Sequence, residues 1–379
     1  MHICYLSPEY PLWITGGIGT FIQTIGKMLV KNGHYVTIIG HSNVPGGAYL
    51  NDEGIEIYRT PAPKYLKKGS FIENAFRIRK KIKQIDKIKP IDIIESNESG
   101  LFYLPSKTSY KKVIRLHGGH CFFAESENRP INKWKNIQEK ISFKKADIFA
   151  APSKYVVNHT SKYLSTGTKK VEIINFPLNS DIFRQADFSK IIPHKLVFAG
   201  TVCEKKGIRQ LIEALSILLN KYPDTTLDVY GRDWYFPDKS SYIQYLKNQF
   251  SKELLSHITF HGAIKLSDIP TKYEEAELCV FPSHMETLGL VAPEAMMMGK
   301  PVLFSNTGPG PETVSHKETG LLCDPHNPDN IAENISFAFE NRTIMKEIAL
   351  NGQKYAIEKF NKENNYLHNF EFYSSIINN

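Results

Sequence analysis

Residues 281–294 read Phe281-Pro282-Ser283-His284-Met285-Glu286-Thr287-Leu288-Gly289-Leu290-Val291-Ala292-Pro293-Glu294. The apolar run Leu278–Phe281 that leads into them predicts a buried strand, closed by Pro282 and Ser283. Gly289 stands where a following helix should start, Ala295–Met298 continues that helix, and Gly299 stops it. Two carboxylates, Glu286 and Glu294, lie eight positions apart across this strand-to-helix turn. Glu286 falls in the loop and Glu294 in the first turns of the helix. Unbonded backbone N–H groups at a helix start attract an anion such as a diphosphate. A carboxylate one or two turns along accepts hydrogen bonds from a ribose diol. The pattern suits a nucleotide-linked ligand, although spacing alone fits two solvated glutamates around a helix start equally well.

The same residues carry a resemblance. Glu286, seven residues, then Glu294, with Gly289-Leu290 inside and Glu294-Ala295-Met296 at the end, resembles the signature of the retaining glycosyltransferases of family 4 (glycosyl transferases group 1). That resemblance implies an α/β chain of GT-B type, with two Rossmann-like doubly wound domains facing a central cleft. It implies that the second domain holds a nucleotide diphosphate-sugar and the first presents the acceptor. Glu286 would contact the transferred sugar, Glu294 the ribose, and the N–H groups around Leu288, Gly289 and Leu290 the leaving diphosphate.

A chain of 379 residues suggests two domains of ordinary size, and 41% hydrophobic residues are enough for two cores. A charged fraction of 23% argues against wholesale disorder. Met1–Leu6 has no charged leader and no long apolar core, and no apolar stretch approaches the ~18 residues of a membrane span. Cys4, Cys121, Cys203, Cys279 and Cys323 are odd in number and scattered, without a CxxC pair, so neither a zinc site nor a disulfide framework is indicated. A reducing cytoplasm is the expected location. The net charge of +8 serves anionic lipid, nucleic acid or phosphorylated substrates, but the recognised nucleic-acid signatures are missing.

In the N-terminal half, His2–Leu6 predicts a strand, Ser7–Gly19 a glycine-rich loop, Thr20–Asn32 an amphipathic helix and Tyr35–Ile39 a second strand. This unit opens a doubly wound domain. The loop is not a dinucleotide fingerprint, because Ile22 occupies the place of the third glycine. Gly16-Gly17 reads as a turn; the resemblance implies that it also lets backbone approach the donor's phosphates. Arg115-Leu116-His117-Gly118-Gly119 closes a predicted strand, and in an open parallel sheet ligands sit at the carboxyl ends of strands. There the resemblance implies that His117 faces the donor sugar and hydrogen-bonds a hydroxyl. Ser153 reads as a helix N-cap with no chemistry of its own. Between Lys64 and Lys89 stand ten basic residues against Glu73 and Asp86, with Phe71, Ala75, Ile78, Ile82 and Ile85 at helical spacing. One face is core; the rest is either a solvated surface or a patch for anionic lipid or a phosphorylated acceptor.

In the C-terminal half, Arg184–His194 lacks a clear period and is expected to be the linker. This gives domains at 1–184 and 185–359, with 360–379 as an aromatic-rich helix that the resemblance sends back onto the first domain. The family pattern Gly-Arg, four residues, Lys-Gly appears as Gly200-Thr201 and then Lys206-Gly207. Lys206 is the implied diphosphate cation. Thr201 stands where the family has arginine, which removes a bidentate phosphate clamp; Lys205 and Arg232 are candidates to replace it. Near His261-Gly262, Ala263 and Ile264 are the implied contacts to the base. The turn Gly308-Pro309-Gly310-Pro311-Glu312 also resembles the family's.

Retaining members of this kind lack an enzyme nucleophile; positioning and charge stabilisation carry the chemistry. The resemblance therefore implies a metal-independent hexosyltransferase-like enzyme with Glu286, His117 and Lys206 at the reacting atoms, and no cofactor. Its expected partners are a nucleotide diphosphate-sugar, with uridine diphosphate as the guessed carrier, and a glycan or lipid-linked acceptor of bacterial envelope polysaccharide synthesis. Its expected place is the cytoplasm, peripheral to the inner membrane face. No Asp-x-Asp occurs. A GT-B-type nucleotide-sugar epimerase and a non-catalytic nucleotide-sugar-binding protein remain as alternatives. A hydrolase is disfavoured, since neither Gly-x-Ser-x-Gly nor His-Glu-x-x-His is present.

Overall fold

The computed structural model describes residues 1–12, 16–41, 47–61, 70–127 and 129–378. These form two compact units. The first comprises Met1–Pro177 with Lys362–Asn379, and the second Leu178–Asn361.

The first unit is built on an eight-stranded sheet among the described residues. Its strands are β1 (His2–Leu6), β2 (Tyr35–His41), β3 (Ala48–Asp52), β4 (Ile55–Thr60), β5 (Ile93–Ser96), β6 (Lys111–Arg115), β7 (Ile148–Ala151) and β8 (Val171–Ile173). Their spatial order is β3-β4-β2-β1-β5-β6-β7-β8. Every neighbouring pair is parallel except β3 with β4. β1 is buried along its whole length, and apolar but for His2 at its start, because helices cover both sheet faces. The order reverses at β1 and β5, and the carboxyl ends of these two strands flank the switch point where open α/β sheets bind ligands.

Helix Gly17–Lys31 packs on this sheet with Phe21, Ile22, Ile25 and Leu29 inward. The C-terminal helix Lys362–Ile377 packs against it. That helix is fastened by polar contacts as well as apolar ones. Arg115, fully buried, sets Nε 2.7 Å from Glu95 Oε1 and Nη2 2.7 Å from Asn369 Oδ1. The Tyr373 hydroxyl donates to Glu95 Oε2 at 2.9 Å. A buried guanidinium needs such a set of acceptors to offset its lost hydration.

The second unit carries six parallel strands among the described residues: β9 (Lys195–Ala199), β10 (Thr226–Tyr230), β11 (Ile258–Gly262), β12 (Leu278–Phe281), β13 (Val302–Ser305) and β14 (Leu321–Cys323). Their order is β11-β10-β9-β12-β13-β14. β9 and β12 are neighbours, with Leu196 opposite Leu278 and Val197 opposite Cys279. The switch point of this sheet therefore lies between the loop after β9 and the loop after β12. Helices Ile208–Leu218 and Pro328–Glu340 cover one face with a core of Leu211, Leu215, Ile331 and Ile335.

Two readings of the sequence shift. The segment 184–194 is not a linker: the amide of Ala186 donates to Met298 O at 3.0 Å, inside the second unit, and the boundary lies at Pro177/Leu178. The first helix begins at Gly17 rather than Thr20, because Gly17 and Ile18 take helical conformation ahead of the amphipathic run. All five cysteines are buried and unpaired, and Ser153 caps its helix by accepting from the Val156 amide.

Candidate functional site

In the second unit, β9 ends at Gly200, and a tight turn over Glu204–Lys206 leads into helix Ile208–Leu218. β12 ends at Phe281, and the loop of Pro282–Leu290 leads into helix Val291–Met297. Because the strands are neighbours, the two loops touch. The His284 amide donates to Lys205 O at 2.9 Å. Gly207 takes φ +71°, and a Cβ there would stand 1.8 Å from Pro282 O, so only glycine fits both the turn and the contact. Across this seam the Lys206 ammonium pairs with the Glu286 carboxylate, both side chains mostly buried.

Gly289, at φ +76°, lets the loop turn toward the helix; a Cβ there would lie 2.5 Å from the Phe304 ring. Leu288 is buried beneath it, and Leu290 caps the helix without a side-chain bond. Glu294, on the first turn, has 9% of its surface exposed. Burial alone pushes its carboxyl up to about 7. The His284 ring lies tilted against His326 with ring centres 4.2 Å apart, and burial holds it down to about 4.

Thr201 meets the Arg232 guanidinium, with Nε 3.4 Å from Oγ1. Gly231 sits so close to Gly200 that a Cβ would lie 1.7 Å from its carbonyl, which holds the loops after β9 and β10 together. Ala263 and Ile264 follow β11 at the same carboxyl edge of the sheet, but β10 and β9 stand between that strand and β12. The structure thus brings Lys206 and Glu286 together directly, sets Gly289 beside Glu286, and leaves the two base candidates farther along the edge.

In the first unit, His117 follows β6. Its ring stacks on Phe176 with centres 5.0 Å apart and meets Phe21 edge-on at 5.9 Å. Burial, reinforced by the Arg115 charge, drops it to about 3, so the imidazole is neutral at physiological pH. Its backbone is pinned by Glu98, whose Oε1 accepts from the amides of His117 at 2.7 Å and Gly118 at 2.8 Å. Glu139 accepts from the His120 and Cys121 amides in the same way. Burial raises the Glu98 carboxyl to about 7, and the nearby Glu139 charge adds to this. Gly119 is wedged between the two: a Cβ would lie 2.3 Å from Glu139 Oε1 and 2.9 Å from Glu98 Cβ.

Gly16 and Gly17 behave differently from each other. A Cβ on Gly16 would come 2.2 Å from Glu9 Oε2, whereas Gly17 faces open space. A carboxylate therefore lies against Gly16, and an anion reaching this turn through Gly16 would meet Glu9 first. Reasoning from sequence passed over Glu9, Glu98 and Glu139. Glu98 could have been found, since it stands just past the carboxyl end of β5; Glu139 sits mid-helix and carries no such signal.

The family model "Glycosyl transferases group 1" matches residues 181–355, and "Glycosyltransferase Family 4" matches residues 15–181. An uncharacterized glycosyltransferase of Methanocaldococcus jannaschii is 25% identical over 96% of this chain and 95% of its own length. Sucrose-phosphate synthase from Thermosynechococcus elongatus superposes with a TM-score of 0.84 at 21% identity, covering 99% of this chain and 98% of that one. Anabaena HepE, solved with UDP and glucose, gives a TM-score of 0.80 at 19% identity over 99% of this chain and 100% of its own. The chain belongs to the family 4 glycosyltransferases (glycosyl transferases group 1), with the two parallel-sheet α/β units of the GT-B fold.

Proposed function

We propose that the enzyme is a retaining glycosyltransferase that moves a sugar from a nucleotide diphosphate-sugar to a glycan or lipid-linked acceptor in bacterial envelope polysaccharide synthesis, without a metal. The Lys206–Glu286 pair at the sheet's switch point is the observation that carries this reading. An ammonium held there can turn to the diphosphate as negative charge develops on it, and Glu286 stays beside the sugar being released. The N–H groups of Leu288, Gly289 and Leu290 face the same leaving group, with Thr201 and Arg232 replacing the family's arginine clamp. Glu294 takes the ribose diol, and Ala263 with Ile264 brackets the base. Gly17, which faces open space, admits the donor phosphates in the first unit, while Gly16 stands against the Glu9 carboxylate; neutral His117 hydrogen-bonds a sugar hydroxyl. HepE's complexes with UDP and with UDP-glucose favour a uridine diphosphate carrier.

In the step itself the bond from the anomeric carbon to the diphosphate oxygen breaks. The acceptor oxygen bonds to the same face of that carbon, and the departing oxygen takes the acceptor's proton. The protein supplies position and charge, not a covalent intermediate. The exposed cations of helix Ser70–Ile88 would place the first unit against an anionic bilayer, at the inner face where lipid-linked acceptors lie. No described helix is long and apolar enough to cross a membrane.

The test is a thermal-shift screen against nucleotide-sugars, followed by transfer assays with envelope glycans and lipid-linked sugars as acceptors. Proton NMR of the product reads the anomeric configuration. Stabilisation by a uridine diphosphate-sugar and a product of unchanged configuration are expected. An inverted product would overturn the retaining assignment, and epimerised donor without transfer would establish an epimerase instead.

A further inference from the structure

In the second unit a cavity of about 350 Å3 lies at the amino edge of the sheet, bounded by Glu277 just before β12 and Pro301 just before β13. The loops that carry Lys206 and Glu286 follow β9 and β12 at the opposite, carboxyl edge, so the cavity is not part of the candidate site. One wall is the segment 184–194. The Ala186 amide donates to Met298 O at 3.0 Å and the Ile192 amide to Glu275 O at 3.0 Å, and Phe188 and Ile191 stand on the wall between these two fixed points. The other walls are apolar too. Ala338 comes from helix Pro328–Glu340, and Met345 and Ala349, one turn apart, from helix Arg342–Phe360. Small side chains at 338 and 349 leave the space open. Protein interiors hold few voids larger than a water molecule, and apolar ones take apolar molecules rather than water. A concave apolar space of this size with a few convergent charges has the form of a small-molecule site.

The charges suit an anion. Glu277 is the one carboxylate on the lining among the described residues, and it is engaged on both oxygens. Oε1 accepts from Arg342 Nε at 2.6 Å, and Oε2 accepts from the His194 amide at 2.6 Å. Lys346, one turn beyond Arg342 on the same helix, also lines the cavity. Its ammonium has no ion pair or hydrogen bond among the described residues. With Glu277 neutralised by Arg342, the lining keeps one uncompensated cation. The Lys300 ammonium, 5.7 Å from the centre of the Phe188 ring, adds positive charge beside the same wall.

We propose that this cavity is a second ligand site, for a compact apolar molecule bearing one carboxylate: the hydrocarbon body lies between Phe188 and Met345, and the carboxylate meets Lys346. Burial of the apolar body supplies the affinity, and the cation selects the anion over a neutral molecule of the same shape.

1-Naphthoate is the probe, a flat apolar body with one carboxylate. Protein carrying 13C at the methionine methyls is titrated with it by NMR, with Met345→Leu, Met285→Leu and Met28→Leu assigning the signals. The Met345 signal should move saturably, while those of Met285, beside Glu286, and Met28, in the first unit, stay in place. The neutral analogue 1-naphthalenemethanol should bind about two- to five-fold more weakly. Lys346→Glu should weaken naphthoate by at least as much and leave the alcohol unchanged. Ala349→Phe puts a ring into the cavity and should abolish the response, with the melting temperature checking the fold; if that variant does not fold, the exposed Lys346→Glu decides. Saturating uridine diphosphate should leave naphthoate binding in place. A Met345 signal that stays still at millimolar probe, or equal movement at Met285 and Met28, overturns the site. Equal affinity for the acid and the alcohol overturns its preference for an anion. Competition with uridine diphosphate would put the probe in the candidate site and overturn the proposal as well.

Discussion

The Lys206 ammonium and the Glu286 carboxylate form an ion pair that joins the loop after β9 to the loop after β12. Each is mostly buried, so each needs the other until a ligand arrives. Replacing Lys206 with alanine strands Glu286 and, on the proposed reading, removes the cation that meets the leaving diphosphate. kcat/KM for transfer should fall at least about tenfold, equivalent to ~1.4 kcal/mol or more. Lys205→Ala should do much less, because it keeps the backbone carbonyl that accepts from the His284 amide and leaves the Lys206–Glu286 pair in place. The double variant Lys206→Ala/Glu286→Ala should be less impaired than the product of the single losses, as expected of side chains that act as a unit. Steady-state kinetics of the four proteins decide it; a larger loss for Lys205→Ala would reverse the assignment of the cation.

Glu294→Ala should raise the donor KM strongly, because a charged acceptor for two ribose hydroxyls contributes roughly 1.5–3 kcal/mol per hydrogen bond. Calorimetric titration with the nucleotide separates this from an effect on turnover. A folded variant with unchanged affinity would remove Glu294 from the ribose.

How much of this was legible beforehand depends on range. Strand β12 and the turn at Gly289 follow from a short apolar run and a glycine, which are local signals. The resemblance put Lys206 and Glu286 at one site but did not pair them; eighty residues separate them, and strand order alone brings the ammonium to the carboxylate. The boundary was misplaced because Arg184–His194 lacks periodicity; its fixed place comes from distant partners such as Met298 and Glu275. The clamps on the His117 loop were missed for a similar reason. Glu98 and Glu139 act through backbone amides, and a side chain's reach to an amide leaves no sequence pattern. For the basic segment, Ile78, Ile82 and Ile85 are buried as expected, while Phe71 and Ala75 are only half-buried. Lys64, Lys67 and Lys68 lie outside the described residues.

Two buried groups give stability opposite dependences on pH. The Glu294 carboxyl, at about 7 against its ordinary 4.5, holds its proton in the folded state over a range where the unfolded chain has lost it. Its contribution is greatest below about 4.5 and is lost as pH rises to about 7, by up to ~3 kcal/mol. His117, lowered to about 3 from 6.5, works the other way: stability is lost as pH falls below about 6.5. Urea unfolding between pH 5 and pH 8 should therefore show Glu294→Gln gaining on the wild type as pH rises. His117→Gln should gain as pH falls. A constant difference across that range would contradict the burial of the group concerned.

Gly207→Ala tests the seam between the loops. The left-handed conformation alone costs an alanine about 1–2 kcal/mol, and the Pro282 carbonyl stands where the methyl would go. Destabilisation beyond ~2 kcal/mol in urea is expected, along with weaker nucleotide binding, because the shift pushes apart the loops that carry Lys206 and Glu286. An alanine variant as stable as the wild type would mean that the seam is not closed in solution.

The basic helix gives the last prediction. On Ser70–Ile88 the buried stripe is Ile78, Ile82 and Ile85, and Arg79, Lys80, Lys83 and Lys87 lie exposed on other faces. Lys107 joins them across a groove. Ile72 and Phe76, 57% and 67% exposed, stand on the same helix, and Trp134, 43% exposed, packs on Phe71 beside it. Cations around exposed apolar and aromatic side chains are the composition of a surface that rests on an anionic bilayer. Each cation near such a bilayer contributes about 1 kcal/mol, and salt screens it. The protein should sediment with vesicles containing phosphatidylglycerol at low salt and be released as salt rises. Replacing Lys80, Lys81 and Lys83 with glutamate should abolish sedimentation and leave nucleotide affinity unchanged. Phe76→Ser should weaken binding without altering its salt dependence, since it removes apolar area and no charge. If the wild type ignores such vesicles at low ionic strength, the helix is a solvated face and the acceptor is a soluble glycan.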